Sequence, residues 1–281
     1  MPDQTAGPRS AHPHALHTST QKHRIRPPGA LRLALETRMP WELWSSILSL
    51  PLLYSLPRGD GHAVLVFPGL AASDVSTAPL RRYLRDRGYD ARPWDLGRNL
   101  GPGNGVLENC QMKIRQLRAE TGRKVSLIGW SLGGIYARET AKTAAADVRQ
   151  VITLGTPFSG PPKATNAWQV YELATGERVE ERAHSFDLAT APPVPTTSIY
   201  SRTDGIVAWQ CSVQAPGGET ENIEVEASHV GLGVNPAVLY AVADRLAQPE
   251  GKWAPFDATG FRRLFYGNPA TADWFPQSIL V

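Results

Sequence analysis

Apolar residues in this chain cluster into short runs separated by amphipathic stretches. Gly61–Phe67, Lys124–Ile128, Val148–Leu154 and Thr197–Ser201 are brief and rich in aliphatic, β-branched residues, the pattern of strands buried on both faces. Tyr89–Leu96 and the alternating Asn222–Glu226 add two more. Helical spacing fills the intervals. Thr77–Gly88 puts Leu80, Tyr83 and Leu84 on one face and stops at glycine, and Val106–Glu120, Gly134–Ala141 and Pro236–Ala247 follow the same period. Strand and helix in alternation predict an α/β protein: a doubly wound, mostly parallel sheet with helices on both faces.

Other segments depart from that rhythm. Residues 1–29 are rich in Pro, His, Arg, Ser and Thr with Asp3 the only acid, and are expected to stay disordered. His12, His14, His17 and His23 there read as part of a mobile tail, not as a metal site. Residues 30–60 form an apolar helical segment. Its core, Met39–Pro57, carries Trp41, Leu43, Trp44, Ile47 and Leu48, while Glu42, several serines and Pro51 make it too broken to span a membrane. It is expected to pack on the domain or over its active site, or to touch a membrane surface through its tryptophans. Residues 61–281 are read as the catalytic domain. Within it, 158–195 is long for a simple connection and predicts a small lid. Two short helices, Asn166–Ala174 and Glu177–Leu188, would aim Trp168, Val170, Tyr171 and Leu173 at the active site. The aromatics from Trp253 to Phe275 predict that the C-terminal stretch docks on the body.

Chemistry concentrates at Gly129-Trp130-Ser131-Leu132-Gly133. A G-x-S-x-G between strand and helix is a nucleophile elbow, which holds a serine hydroxyl out of a sharp turn. The flanking glycines fit because a side chain at either would meet the neighbouring strand or helix. Serine needs a base and an orienting acid. Asp204 follows a predicted strand and precedes Gly205; His229 follows the next one. Asp187 is the rival acid and His184 the rival base, the latter in a charged stretch read as a solvated face, and Glu224 and Glu226 are read as exposed. The order Ser131, Asp204, His229 is that of the α/β-hydrolases. The loop after Phe67 would supply one oxyanion amide, at Leu70, and Leu132 the other. Gly69, Trp130 and Trp168 are the candidate substrate-contacting residues.

Those residues resemble the α/β-hydrolase superfamily over about residues 60 to 248, in particular small bacterial lipase- and esterase-like members. Such lipases often carry a His-Gly pair before the oxyanion residue and a histidine before the nucleophile; here Pro68-Gly69 and Trp130 stand there. The Gly-Trp-Ser-Leu-Gly-Gly form is similar to the elbows of some carboxylesterases. The resemblance implies an α/β-hydrolase fold and a serine hydrolase cleaving small-molecule or lipid esters through an acyl-enzyme, with no cofactor or metal. An acyltransferase or thioesterase would use the same triad, and a binding protein on a degenerate hydrolase fold is the non-enzymatic alternative.

Composition narrows the rest. A net charge of +3 without a Lys/Arg-rich run argues against a nucleic-acid partner. Two cysteines, Cys110 and Cys211, allow at most one disulfide. The leader lacks the apolar core of a signal peptide, so the expected compartment is the cytoplasm, with membrane association through 39–57.

Overall fold

The computed structural model describes residues 25–103, 105–176, 178–179 and 187–267. Six strands form one sheet: β1 (Ala63–Phe67), β2 (Asp90–Pro93), β3 (Val125–Trp130), β4 (Val148–Leu154), β5 (Thr196–Tyr200) and β6 (Thr220–Glu224). Their order is β2-β1-β3-β4-β5-β6, and every neighbouring pair is parallel. β4 (Val-Arg-Gln-Val-Ile-Thr-Leu) is buried at all seven positions, Arg149, Gln150 and Thr153 included, so both its faces are covered.

Helices cover both faces. α5 (Val106–Thr121) and α6 (Leu132–Thr143) lie on one side, where Ile114, Leu117 and Tyr136 pack on Leu65, Phe67 and Leu127. α4 (Asp74–Asp86) and the last helix, α8 (Pro236–Leu246), lie on the other, where Leu80, Leu84, Val238 and Leu246 meet Val64, Val66 and Ile152. Alternate residues of one strand thus feed two cores, and each fully buried aliphatic side chain contributes about 1.5–3 kcal/mol. α8 starts where Pro236 follows Asn235, whose side chain accepts from the amide of Ala237 at 3.0 Å.

The sheet reverses its winding at β1, which has β2 on one side and β3 on the other. Loops leaving the carboxyl ends of β1 and β3 therefore diverge and leave a crevice, the usual place for a ligand in an open α/β sheet. Phe67 and Gly129 are register partners there, so the candidate oxyanion loop and the elbow emerge side by side.

The N-terminal segment folds as α1 (Ala30–Ala34), a 3-10 turn over Leu35–Arg38, α2 (Met39–Leu48) and α3 (Leu50–Ser55). Its packing is inverted. In α2 the buried residues are Glu42 and Ser46, whereas Trp41, Trp44 and Leu48 are 75, 57 and 77% exposed. Leu53 of α3 and Leu56 supply the apolar attachment. Among the described residues no helix is long and apolar enough to cross a membrane.

Several expectations change in detail. Residues 1–24, with the four tail histidines, lie outside the described residues, but 25–29 are docked: Ile25 packs by Val207 and Cys211, and the Pro28 carbonyl accepts from Asn166 Nδ2 at 3.0 Å. In the 158–195 insertion, the first helix is α7 (Trp168–Thr175). The second expected helix, Glu177–Leu188, and His184 fall mainly or wholly outside the described residues. Glu224 is half-buried, not exposed, because the Tyr200 hydroxyl and Arg202 Nε both donate to it. Of the C-terminal aromatics, Tyr266 docks, its hydroxyl donating to the Ala237 carbonyl at 2.8 Å, with Phe256 against its ring; Phe261 and Phe265 are exposed, and Trp274 and Phe275 lie outside the described residues. Cys110 and Cys211 are both free and buried, and burial pushes each thiol up to about 12.

Candidate active site

Ser131 sits between β3 and α6 with φ 53° and ψ −122°. A non-glycine residue in that region costs about 1–3 kcal/mol and persists only where its surroundings force it. Three glycines do the forcing. A Cβ on Gly129 would lie 2.3 Å from the Gly134 Cα; one on Gly133 would lie 2.5 Å from the Phe67 carbonyl oxygen; one on Gly134 would lie 1.9 Å from Thr156 Oγ1. α6 is thereby drawn against β1 and β3, and the turn between must be sharp.

Asp204 and His229 meet beyond β5 and β6. His229 Nδ1 lies 2.6 Å from Asp204 Oδ2, and both residues are buried. Asp204 Oδ1 accepts from the amides of Ile206 and Val207 at 2.8 and 2.7 Å, which fixes the carboxylate plane. With Nδ1 committed, Nε2 is the nitrogen left to face a hydroxyl. Burial alone would push this imidazole down. The Asp204 carboxylate, by charge and hydrogen bond, and the charge of Glu36 outweigh it, so His229 is held above the ordinary 6.5. The rival acid Asp187 stands apart from the imidazole, at the cavity wall.

The elbow and the histidine loop are joined by Trp130, whose Nε1 donates to the His229 carbonyl at 3.0 Å. Its ring packs beside Gly233 and the α8-side core. Trp130 is not among the residues that line the cavity. Among the described residues Ser131 Oγ makes no hydrogen bond to His229 or any other group. Such contacts often tighten only when substrate arrives.

The loop after β1 is pinned by Asn99, a residue the sequence places merely in a glycine-rich loop. The Ala71 amide donates to the Asn99 carbonyl (2.7 Å), the Asn99 amide to the Ala72 carbonyl (2.8 Å), and Asn99 Nδ2 to the Pro68 carbonyl (2.9 Å). Ala71 is held at φ 58°. The Leu70 amide donates to nothing among the described residues, and the Leu132 amide is at the first turn of α6, where helical N–H groups have no internal partner. Gly69 makes a close approach: a Cβ there would lie 3.3 Å from the Ser131 Cβ. It crowds the serine and is not among the residues that line the cavity.

Ser131, Leu70 and Leu132 open on a cavity of about 330 Å³, walled largely by apolar residues such as Phe158, Trp168 and Tyr171. Trp168 thus stands where the sequence puts it. Val170 and Leu173 do not: they are exposed, because at 100° per residue they fall on the opposite face of α7 from Trp168 and Tyr171.

Two acids that the sequence shows only as breaks in an apolar run hold the histidine loop from outside. Glu36 Oε1 accepts from the amides of Gly205 (2.7 Å) and His229 (2.9 Å), and its Oε2 from Val230 (2.9 Å). Glu42 accepts from the Ser228 amide (2.7 Å) and hydroxyl (3.0 Å), while Arg38 pairs with Glu42 and donates to Thr203 Oγ1 at 2.6 Å. The α1 backbone passes so near Gly205 that a Cβ there would lie 2.2 Å from the Arg32 carbonyl oxygen. Glu42 and Ser46, four residues apart, share the helix face that is turned inward, the reverse of the usual amphipathic arrangement.

Residues 96–207 match the family described as the PGAP1-like alpha/beta domain, a stretch that includes the elbow and Asp204 and ends before His229. No curated protein sequence matches the chain. Among solved structures it is similar to Aspergillus fumigatus lipase B, with a TM-score of 0.54 and 18% identity over 73% of this chain and 56% of that one. The chain therefore spans little more than half of that lipase. It is also similar to Paleococcus ferrophilus monoacylglycerol lipase (TM-score 0.46, 16% identity, 66% of this chain and 96% of that one). A third is the thioesterase domain from the curacin biosynthetic pathway (TM-score 0.45, 13% identity, 67% and 92%). With its parallel six-stranded sheet and a TM-score of 0.54 to the first of these, the chain carries the α/β-hydrolase fold.

Proposed function

We propose that this protein is a serine hydrolase that cleaves carboxylic esters through an acyl-enzyme. Two observations support the reading: the buried Asp204–His229 pair, and a strained elbow serine that lines an apolar cavity. Ser131 Oγ attacks the ester carbonyl carbon as its proton passes to His229 Nε2. The tetrahedral oxyanion accepts from the Leu70 and Leu132 amides. Collapse breaks the bond to the alcohol oxygen, which takes the proton from His229. Water then attacks the acyl carbon, gives a proton to His229, and the second collapse returns it to Ser131 as the acid leaves. Asp204 holds the imidazole tautomer and offsets its charge.

The cavity wall favours an aliphatic acyl group, since only a few polar atoms face it. A chain-length panel of p-nitrophenyl esters tests the reading. Turnover is expected in the wild type and a loss of at least about 10⁴-fold in Ser131→Ala with the fold intact. Turnover of the Ser131→Ala variant at the wild-type rate would reject it. The thioester analogue and an added alcohol acceptor, run alongside, separate hydrolysis from acyl transfer.

A further inference from the structure

The inverted packing of the N-terminal helices leaves an apolar surface with nothing from this chain over it. Trp41, Trp44, Ile47 and Leu48 of α2 point outward. The surface continues into a groove of about 230 Å³ where Leu52 of α3 faces Phe261, Leu264 and Phe265, and Leu264 is 82% exposed. An amphipathic helix on a folded domain ordinarily buries this stripe, and an exposed patch of this kind marks an interaction site.

Charge indicates what covers it. Residues 25–58 contain two acids and four arginines. Both acids, Glu36 and Glu42, are turned inward onto the amides of Gly205, Ser228, His229 and Val230. Arg26, Arg32 and Arg58 remain exposed, and Arg263 is exposed beside Leu264. Against them stand Glu226 in the groove wall, Asp86, which accepts from the Tyr54 hydroxyl, and Asp257, which Arg262 pairs with. With Asp257 paired to Arg262, the exposed arginines outnumber the acids left over, and the outer surface is apolar with a cationic excess. Two tryptophans on a short helix, flanked by arginines, suit the headgroup boundary of a negatively charged bilayer, with indole at the interface and Leu and Ile below it.

We propose that the outer face of residues 31–54, with the 3-10 turn at Gly260–Leu264, docks this protein on an anionic lipid surface. The attachment is peripheral, with the helices lying along the interface. It is independent of any reaction at Ser131.

Flotation of the full chain with phosphatidylcholine vesicles, with and without phosphatidylglycerol, tests the docking. Binding to the phosphatidylglycerol vesicles is expected, weakening with salt, and about tenfold weaker in the Trp41→Ala/Trp44→Ala variant. That variant should keep its melting temperature and its rate on a water-soluble ester, because both side chains point away from core and cavity. Leu264→Ser should weaken binding by a smaller factor. Ser131→Ala should float like the wild type, so loss of hydrolysis with intact flotation would count against the proposed reaction and leave the docking standing. Equal binding to both vesicles, no binding to either, or binding unaffected by the double variant would overturn the proposal. So would sedimentation of a dimer that the double variant dissociates, which would make a second copy the occupant.

Discussion

Two groups of serine, histidine and aspartate lie at opposite ends of the sheet, the first the proposed catalytic set and the second a buried hydrogen-bonded one. At the carboxyl ends of the strands stand Ser131, His229 and Asp204. At the amino ends, His62 Nδ1 lies 2.5 Å from Asp60 Oδ1 and its Nε2 2.8 Å from Ser126 Oγ, a complete hydroxyl–imidazole–carboxylate chain. By hydrogen bonds alone the second set is the better formed. It is also sealed: Ser126 and His62 are fully buried within β3 and beside β1, and no wall of the main cavity includes them. Burial would raise the Asp60 carboxyl, but the hydrogen bonds from Arg149 and His62 and the charge of His62 hold it well below the usual range; Arg123 pairs with it as well. Burial, with the arginine charges, holds His62 below 6.5, although Asp60 pulls the other way. His229, facing two carboxylates, is held above. A triad is therefore more than its hydrogen bonds: it needs a strained, accessible hydroxyl, an imidazole biased toward taking a proton, amide donors within reach, and a space for substrate.

The sharpest way to break this comparison is to delete each serine. Ser131→Ala is expected to cost at least about 10⁴-fold in kcat and to leave urea unfolding unchanged. Ser126→Ala should do the reverse: activity within about threefold of wild type, and a stability loss of about 1–3 kcal/mol from the unpartnered His62 nitrogen. Large loss of activity from Ser126→Ala in a protein that still folds would undo the distinction.

Glu36 offers a finer probe of what makes His229 the working base. Glu36→Gln keeps the shape, removes the charge and cannot accept from Gly205, His229 and Val230 together. Through misplacement of the imidazole, kcat/KM should fall by about 10- to 100-fold. The acidic limb of its pH profile should also move to lower pH, because one of the charges that raises His229 is gone. Asp204 remains as the facing carboxylate, and Glu42, paired with Arg38 on Ser228, is the next charge outward. A fall in rate with an unmoved limb would mean that Glu36 only braces the loop.

The two histidines also separate activity from stability along pH, the smallest of these effects. His229 must be neutral to act, and its value is raised, so kcat/KM is lost as pH falls through a point above 6.5. His62 is depressed in the folded state, so the folded protein binds fewer protons than the unfolded chain. Its contribution to stability is full above about 6.5 and is lost only as pH drops below. Between the two, the protein should be folded and slow, which a melting curve and a rate measured at each pH would show.

Much of the site was legible from sequence because its determinants are local. The elbow declares itself by glycines that three short contacts demand, and the acid and histidine follow strand ends that β-branched runs mark. The rest depends on partners far along the chain. Glu36 reaches a histidine 193 residues away, and nothing near either says so. α2 and α8 are both rich in apolar residues, yet α8 buries Val238, Val242 and Leu246 while α2 buries Glu42 and Ser46. Neither composition nor helical period reveals the inversion, because Glu42 and Ser46 are buried by backbone amides and a carbonyl of distant loops. Ser126 and His62 were unreadable for the opposite reason, since each occupies what looks like an ordinary position in a core strand. Val170 belongs to the expected lid helix, but helix geometry puts it on the face opposite Trp168 and Tyr171.

Labelling with a fluorophosphonate and mapping the modified peptide reads the state of every serine at once. One adduct is expected, on Ser131, absent from Ser131→Ala and strongly slowed in His229→Ala, with Ser126 untouched. A folded, monodisperse protein that takes no label at Ser131, or whose labelling survives Ser131→Ala, would contradict the assignment of this serine as the nucleophile.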